Sequence, residues 1–417
     1  MHNTPTDLTK HLFKMVSEVT DLPEDDYNHQ EFLKPLKFLR GTEIEANFRE
    51  LVEDKFLYDS KGGRNEVETE KLRHHWHVIL MNLAMVMYQR HWLLVPGDSK
   101  YYTGNYWAQR LGLGYRPIQT VIQSLKSNDF IDVLPGRKYE GRPMLRRIYP
   151  KPFLQELLFD YFLYIEQPIE GPYVSINKPD DAYKNFKFPK DHPEVIELTE
   201  VNEFLKGHMW AFKGPVALRY KHTPFQGGRL YTPFQNLPDR KSRVRINTRI
   251  NDQPIAEVDF SCNHLRLNLA YQDGIDAGET PYEDIGELAG GLSRDSAKTF
   301  ITVAMGASDQ NEARSALTRK RGYGDKAVKA LIEATNKRFP TLELFSGWGL
   351  FAQNLEGQIL KDVLLEGVKK DIVCLPVHDA VAVQQQHIEW AKEQMVESWN
   401  KITGTEGLSR VKVDTAD

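Results

Sequence analysis

Apolar positions dominate residues 72–95, and the stretch "VILMNLAMVM" at 78–87 holds a single polar residue, Asn82, before "VPGDS" interrupts the run. That pattern predicts one buried helix. Upstream, residues 1–70 read as short helical pieces with acidic and polar spacers, ending in the loop "DSKGGRNE", and they suggest no role. Downstream the periods change quickly. A short helix is predicted at Tyr106–Leu111, a glycine turn at Gly112–Gly114, and an amphipathic helix at Arg116–Asn128 with the apolar stripe Ile118, Val121, Ile122 and Leu125. Two strand-like runs, Ile131–Leu134 and Leu145–Tyr149, follow with a basic loop between them. Residues 168–195 hold five prolines and no sustained period, which predicts a connection between domains. Beyond it, "IAEVDF" (255–260) is a strand pattern that passes straight into a helical one. "SRDSAKTFITVAMG" (293–306) predicts a helix capped by Ser293, and "IVCLPVHDAVAV" (372–383) predicts a hairpin bent at His378-Asp379. The expected division is 1–70, 71–167, 168–195 and 196–417.

Composition narrows the class. With 417 residues, 41% hydrophobic and 27% charged, the chain is an ordinary globular protein long enough for two or three cores. The opening "MHNTPTDLTKHLFKMVSEV" has no signal-peptide pattern, and the run at 78–87 is too short to span a bilayer. Two cysteines, Cys262 and Cys374, are too few for a disulfide framework and suit a reducing cytoplasm, so a cytoplasmic protein without a membrane partner is expected. A net charge of −4 gives no global attraction for nucleic acid, which must be held by local patches. Two exist: "RKSRVRINTR" (240–249) carries five cations and "GRKYEGRPMLRRIYPK" (136–151) carries six. Each reads either as a solvated surface or as a grip on a polyanion.

The order helix, turn, helix, strand, basic loop, strand resembles a winged helix-turn-helix DNA-binding domain within 71–167. The resemblance implies contacts to bases or phosphates from Arg116, Gln119 and Gln123 on the second helix, and from Arg137, Lys138, Arg142, Arg146 and Arg147 around the wing. Winged helices also serve as protein–protein modules. "RHHWH" (73–77) could place two imidazoles on one helix face, but it lacks the further ligands a metal site needs.

The polar cluster Asp259, Cys262, Asn263, His264 and Arg266 lies where the strand pattern of 255–260 becomes helical. One reading is a structural junction with a capping Asn. The other is a catalytic edge. A second aspartate, Asp379, ends another hydrophobic strand far along the chain, and two carboxylates converging from adjacent strands would hold two hard cations, Mg²⁺ above all and Mn²⁺ as an alternative. Arg294 and Lys298, one turn apart behind Ser293 on the helix at 293–306, repel each other unless an anion such as a triphosphate joins them.

"DFSCNHLR", "RDSAK", "VHDAV", the pair "GRL" and "QNLP", and "NLEGQILKDVL" occur in an order that resembles the polymerase domain of family A DNA polymerases, over about residues 215–400. The resemblance implies an α+β chain: a C-terminal palm with an antiparallel sheet and shortened helical fingers, behind a mostly helical N-terminal region carrying the winged helix. It implies a nucleotidyltransferase acting on DNA primer–template and nucleoside triphosphates. Asp259 and Asp379 would be the catalytic metal ligands. Arg294, Lys298, Thr302 and His264 would line the nucleotide site, and Arg229, Gln235, Asn236 and His378 would contact primer–template. Arg266 matches an arginine of the family.

The departures bear on specificity. His264 stands where the family has the glutamate that helps exclude a ribose 2′-OH, and Thr302 stands where it has an aromatic. The start "DFSC" and "TVAMGAS" are also similar to single-subunit phage RNA polymerases, and with His264 and Thr302 they make a primase or RNA polymerase on the same scaffold an alternative. A replication initiator with an inactive polymerase domain is another, and a two-metal nuclease a third.

Overall fold

The computed structural model describes residue 14 and residues 30–38, 43–57, 65–139, 142–239 and 243–416. The chain divides into two compact units. The first comprises residues 1–169, 209–215 and 236–252, and the second comprises 170–208, 216–235 and 253–417. Their content is mixed α/β with antiparallel strands, compatible with the α+β class.

In the first unit, strands β1 (Gln30–Phe32) and β2 (Lys37–Phe38) precede helix α1 (Glu43–Val52). Helix α2 (Glu66–Gln89) begins at a capping box: the Asn65 side chain accepts from the Glu68 amide and the Glu68 carboxylate accepts from the Asn65 amide. From Val78 to Gln89 every side chain is buried, as expected for a helix apolar on all sides. Asn82 and Gln89 are its polar members, and the Asn82 amide closes on both the N–H and the C=O of Lys34 and on the carbonyl of Val78. The helix stops at residue 89 rather than 95, because Arg90 adopts a left-handed conformation (φ 54°) and Trp92–Leu94 is strand β3. A short apolar run does not tell helix from strand by period alone.

The helix expected at 106–111 is a π-helical turn, Asn105–Arg110, and the next helix is α3 (Tyr115–Ser127), with the predicted stripe buried. Strand β4 (Ile131–Leu134) follows. The basic loop folds as a hairpin, β5 (Arg137–Tyr139) against β6 (Arg142–Met144), and the run read as one strand at 145–149 begins only at β7 (Arg147–Pro150). The sheet order is β1-β3-β7-β4. Helix α4 (Pro152–Leu158) leads to β8 (Ile165–Glu166), which pairs with β2. Residues 236–252 add β12 (Arg249–Ile250), where Ile250 bridges Trp210.

The second unit starts in the stretch read as a connection. Its β9 (Val174–Asn177) lies parallel to β10 (Ala217–Lys221), Val174 opposite Leu218, so the proline-rich segment is a sheet edge and not a free linker. Helix α5 (Pro193–Lys206) intervenes, and β10 turns into β11 (Thr223–Tyr231). Strand β13 (Gln253–Phe260) is followed by α6 (Asn263–Asp273), then by α7 (Pro281–Leu288), α8 (Arg294–Gly306), α9 (Gln310–Arg321) and α10 (Asp325–Arg338), which pack on one another. Long helix α11 (Gly349–Lys369) lies on β11, followed by β14 (Leu375–Val377), β15 (Ala380–Gln384), α12 (Ile388–Thr403) and β16 (Val411–Thr415). Strand β13 is flanked by β15 and β16, both antiparallel to it, and β14 pairs with β15. Among the described residues no helix is long and apolar enough to cross a membrane.

Candidate active site

Two strand ends bring the carboxylates together. Asp259 is the seventh residue of β13, and its register partner on β15 is Ala380. The residue before Ala380 is Asp379, whose carbonyl accepts a hydrogen bond from the Phe260 amide at 3.4 Å. Asp379 therefore lies next to the register partner of Asp259 on the neighbouring strand, and the two carboxylates are close enough for the charge of Asp259 to act on Asp379. Sharp turns hold both. His378 makes the β14–β15 bend at φ 57°, and Cys262, two residues beyond β13 and at the head of α6, has φ 56°, a left-handed conformation uncommon outside glycine.

A third carboxylate, near enough for its charge to act on Asp379, is taken up by cations instead. Glu356 on α11 is 1% exposed, with Arg229 Nε donating to it at 3.0 Å and His264 Nε2 at 3.0 Å from its other oxygen. The approach is set by two glycines. A Cβ on Gly357 would fall 1.8 Å from the carbonyl of Gly228, so α11 touches β11 backbone to backbone, and the next residues along, Arg229 and Glu356, meet. Burial opposes ionisation of Glu356, but His264 and Arg229 together outweigh it and hold its pKa below the usual range.

Asp379 is in the opposite position. Burial, then the charges of Asp259 and Glu356, push its pKa up to about 7, with His264 offsetting only part. Asp259 is met by Lys412 of β16, its register partner on that strand, at 2.9 Å. The donor set fits a hard divalent cation: two oxygen-only ligands side by side, one of them driven toward protonation by burial and by the charge of the other. Among the described residues no group of three or more His, Cys, Asp or Glu side chains is arranged around a metal, and two carboxylates leave room for the water and phosphate oxygens that Mg²⁺ normally retains.

No family model matches the sequence, and no curated protein matches it. Among the solved structures that match, one shows a weak likeness. It is the POL domain of Pol1 from M. smegmatis in complex with DNA primer-template and dNTP, 13% identical over 53% of this chain and 51% of that one, with a TM-score of 0.32. The chain thus spans about half of that structure. A likeness so distant carries no weight for function, which rests on the residues themselves.

The remaining expected nucleotide residues lie on α8. Ser293 caps it, accepting from the Ser296 amide at 3.2 Å, and Lys298 and Thr302 are exposed, the Thr302 hydroxyl returning to the Lys298 carbonyl at 2.8 Å. Arg294 is half-exposed, 2.9 Å from Glu283 and over the Tyr282 ring. Of the expected primer–template residues, Arg229 is tied to Glu356 and His378 is exposed at the turn, whereas Gln235 is buried. Asn236 is exposed and begins the segment that belongs to the first unit.

The junction residues resolve the opening alternatives piecemeal. Asn263 is not a cap: its side-chain oxygen accepts from the Trp399 indole at 3.3 Å. Arg266 is buried and donates to the carbonyls of Ser261, Gly278 and Leu408 and to Asp276, which makes it structural. Cys374 is buried, and burial pushes its thiol pKa up, away from reactivity.

In the first unit the expected DNA face is smaller than the sequence suggests. Arg147 is 1% exposed, so it cannot reach a phosphate. Arg146 donates to Gln119 Oε1 at 3.0 Å and to the carbonyls of Val95 and Pro96, so these two expected contacts are used on each other. Arg116, Gln123 and Arg137 are exposed, while the side chains of Lys138 and Arg142 lie outside the described residues. Arg240 and Lys241 of the second basic patch also lie outside them, and Arg245 is turned inward to Leu237 and Asp239. Two imidazoles of "RHHWH" are structural: His75 bonds the Lys71 carbonyl and the Gly114 amide, and His74 the Leu111 carbonyl.

Sequence reasoning missed Glu356 and Lys412. A carboxylate amid the buried positions Leu355, Gly357, Ile359 and Leu360 of one helix was a readable sign of a paired buried charge. Lys412, in the alternating strand "VKVDT", carried no sign until its partner strand was known.

Proposed function

We propose that the second unit is a template-directed nucleotidyltransferase, a compact DNA polymerase of the family A kind that extends a primer 3′-OH with nucleoside triphosphates. The observation that carries the reading is the β13–β15 register, which sets Asp259 beside Asp379 from distant parts of the chain. These two carboxylates would hold Mg²⁺, or Mn²⁺. The ions would supply charge neutralisation at the attacking and leaving oxygens. The protein's own part is positioning and electrostatics, as in phosphoryl transfer generally. Lys298 and Arg294 at the head of α8 bind the triphosphate, and the helix N-terminus adds its positive end. Arg229, fixed by Glu356, and the exposed His378 hold the primer end. In the first unit, Arg116, Gln123 and Arg137 hold duplex, in the manner of a winged helix.

A primase or RNA polymerase is the second reading, favoured by the His264–Glu356 pair. A residue tied to a buried carboxylate is held back from the place where a ribose filter would act. Primer extension on a defined template, with dNTPs or rNTPs and with or without primer, tests both. Lys298→Ala is expected to raise the KM for nucleotide. Absence of metal-dependent incorporation under every condition would overturn the proposal.

A further inference from the structure

Charge around the carboxylates is unevenly matched. Glu356 has Arg229 and His264. Asp259 and Asp379 stand side by side, and the cation in contact with Asp259 is Lys412, 2.9 Å away from directly across the strand pair. This pair is lopsided: the Lys412 side chain is 66% exposed and that of Asp259 28%. Ion pairs this open to water are weak, screened by salt and easily exchanged. The lysine stem is also flexible, so its ammonium can leave Asp259 without moving the strand. Where it would go is indicated by its other neighbour. Lys412 feels the positive charge of Arg294, the first residue of α8, though less than the carboxylates of Asp259 and Asp379. Arg294 is held in place by Glu283 at 2.9 Å and by the Tyr282 ring, and an anion bridging the two cations would suit both.

Resting on the reading of this unit as a two-metal nucleotidyltransferase, we infer that Lys412 is a built-in stand-in for a divalent cation. It neutralises Asp259 while no metal is bound, yields the carboxylate when Mg²⁺ or Mn²⁺ arrives, and then joins Arg294 in holding the polyphosphate of the nucleotide. Lys412 is a positioning and binding residue; it forms no bond to the reacting atoms. The inference fixes opposite signs for two affinities. Without the ammonium, a metal has no ion pair to displace and binds more tightly. Without it, the triphosphate loses a partner and binds more weakly. A strand residue that only supported the fold would move both in the same direction.

The test uses the full chain as wild type, Lys412→Met, Lys412→Arg and Asp259→Asn. Mn²⁺ is titrated by the loss of its free electron-spin-resonance signal, first without nucleotide. A fluorescent nucleoside triphosphate is then titrated at saturating Mn²⁺. Lys412→Met is expected to bind Mn²⁺ about two- to five-fold more tightly than wild type, the range set by an exposed ion pair, with the difference shrinking at high salt. It is expected to bind the triphosphate about ten-fold more weakly, the loss of a hydrogen bond to a charged group. Lys412→Arg should stay near wild type on both. Unchanged or weaker Mn²⁺ binding by Lys412→Met, where Asp259→Asn still abolishes it, overturns this inference and leaves the proposed function standing. Absence of Mn²⁺ binding by wild type, or binding indifferent to Asp259→Asn, overturns both.

Discussion

His75 in the first unit and Asp379 in the second are both ionisable groups drawn away from water, and burial works against the charged form of each. Their surroundings differ. His75 is 0% exposed, and both ring nitrogens are used, one on the Lys71 carbonyl and the other on the Gly114 amide. Its pKa falls to about 4, and the neutral ring it favours is the one the bonds require. Asp379 has Asp259 and Glu356 nearby, and both make its charge more costly. The same contrast separates the two sets of arginines. Arg146 is closed on Gln119 and two carbonyls, whereas Arg294 at the head of α8 stands half in solvent. Buried polar groups with all their bonds made are architecture. A group such as Asp379, whose neighbours worsen its charge, is a candidate for an outside partner.

The largest expected effect breaks the open side of this comparison. Asp259→Ala or Asp379→Ala should cut primer extension by roughly a thousand-fold or more, since metal-held charge stabilisation is worth several kcal/mol. Metal-free thermal stability should hold or rise, because a like charge has been removed. Extension within ten-fold of wild type by either variant would remove the site from the second unit.

Next is the closed network of Glu356 with Arg229 and His264. Glu356→Ala leaves Arg229 and His264 facing an empty, buried place, and the expected loss is about 3–5 kcal/mol of stability, read by urea unfolding. A loss below 1 kcal/mol would mean that the Gly228–Gly357 approach alone holds α11 on β11.

The third tests the closed side. Because His75 is neutral in the fold with a pKa of about 4, against 6.5 ordinarily, the unfolded chain takes up the proton first as pH falls. First-unit stability should be flat above pH 6.5 and drop as pH falls toward 4, by up to about 3 kcal/mol for this group alone. His77, also held near 4, acts in the same direction. Amide exchange along Glu66–Gln89 reads it, and protection unchanged between pH 7 and 4.5 would contradict a neutral His75.

The smallest effect separates surface from interior cations. Arg137→Ala should lower the salt slope of duplex binding by about 0.9, the value of one phosphate contact, and Arg147→Lys should leave it unchanged. Equal effects from the two would show that the duplex opens the sheet.

These contrasts also mark what could be read from the chain. The carboxylate strands, the capped helix at Ser293 and the hairpin at His378 each rest on local signals of period and capping, and each element is present. Non-local pairing was not legible. The stretch with five prolines looked unstructured because its strand β9 is only four residues long and gets its order from β10. Arg146 and Arg147 looked like a basic wing because charge was visible and burial was not. A cation in sequence has no sign telling whether a carbonyl or a phosphate will receive it.

The place of β13 between β15 and β16 has a consequence for how the protein comes to be made. Helices α7 to α10 follow one another and can find their neighbours almost as they form, whereas β13 must wait for strands that lie far along the chain. Contacts of such long separation close slowly. The acquisition of metal binding should therefore lag behind helix formation during refolding, and stopped-flow circular dichroism alongside Mn²⁺ uptake would time the two. Until that closure, the nascent chain carries a hydrophobic strand with its β15 edge bare, the moment at which it is most open to pairing with another chain.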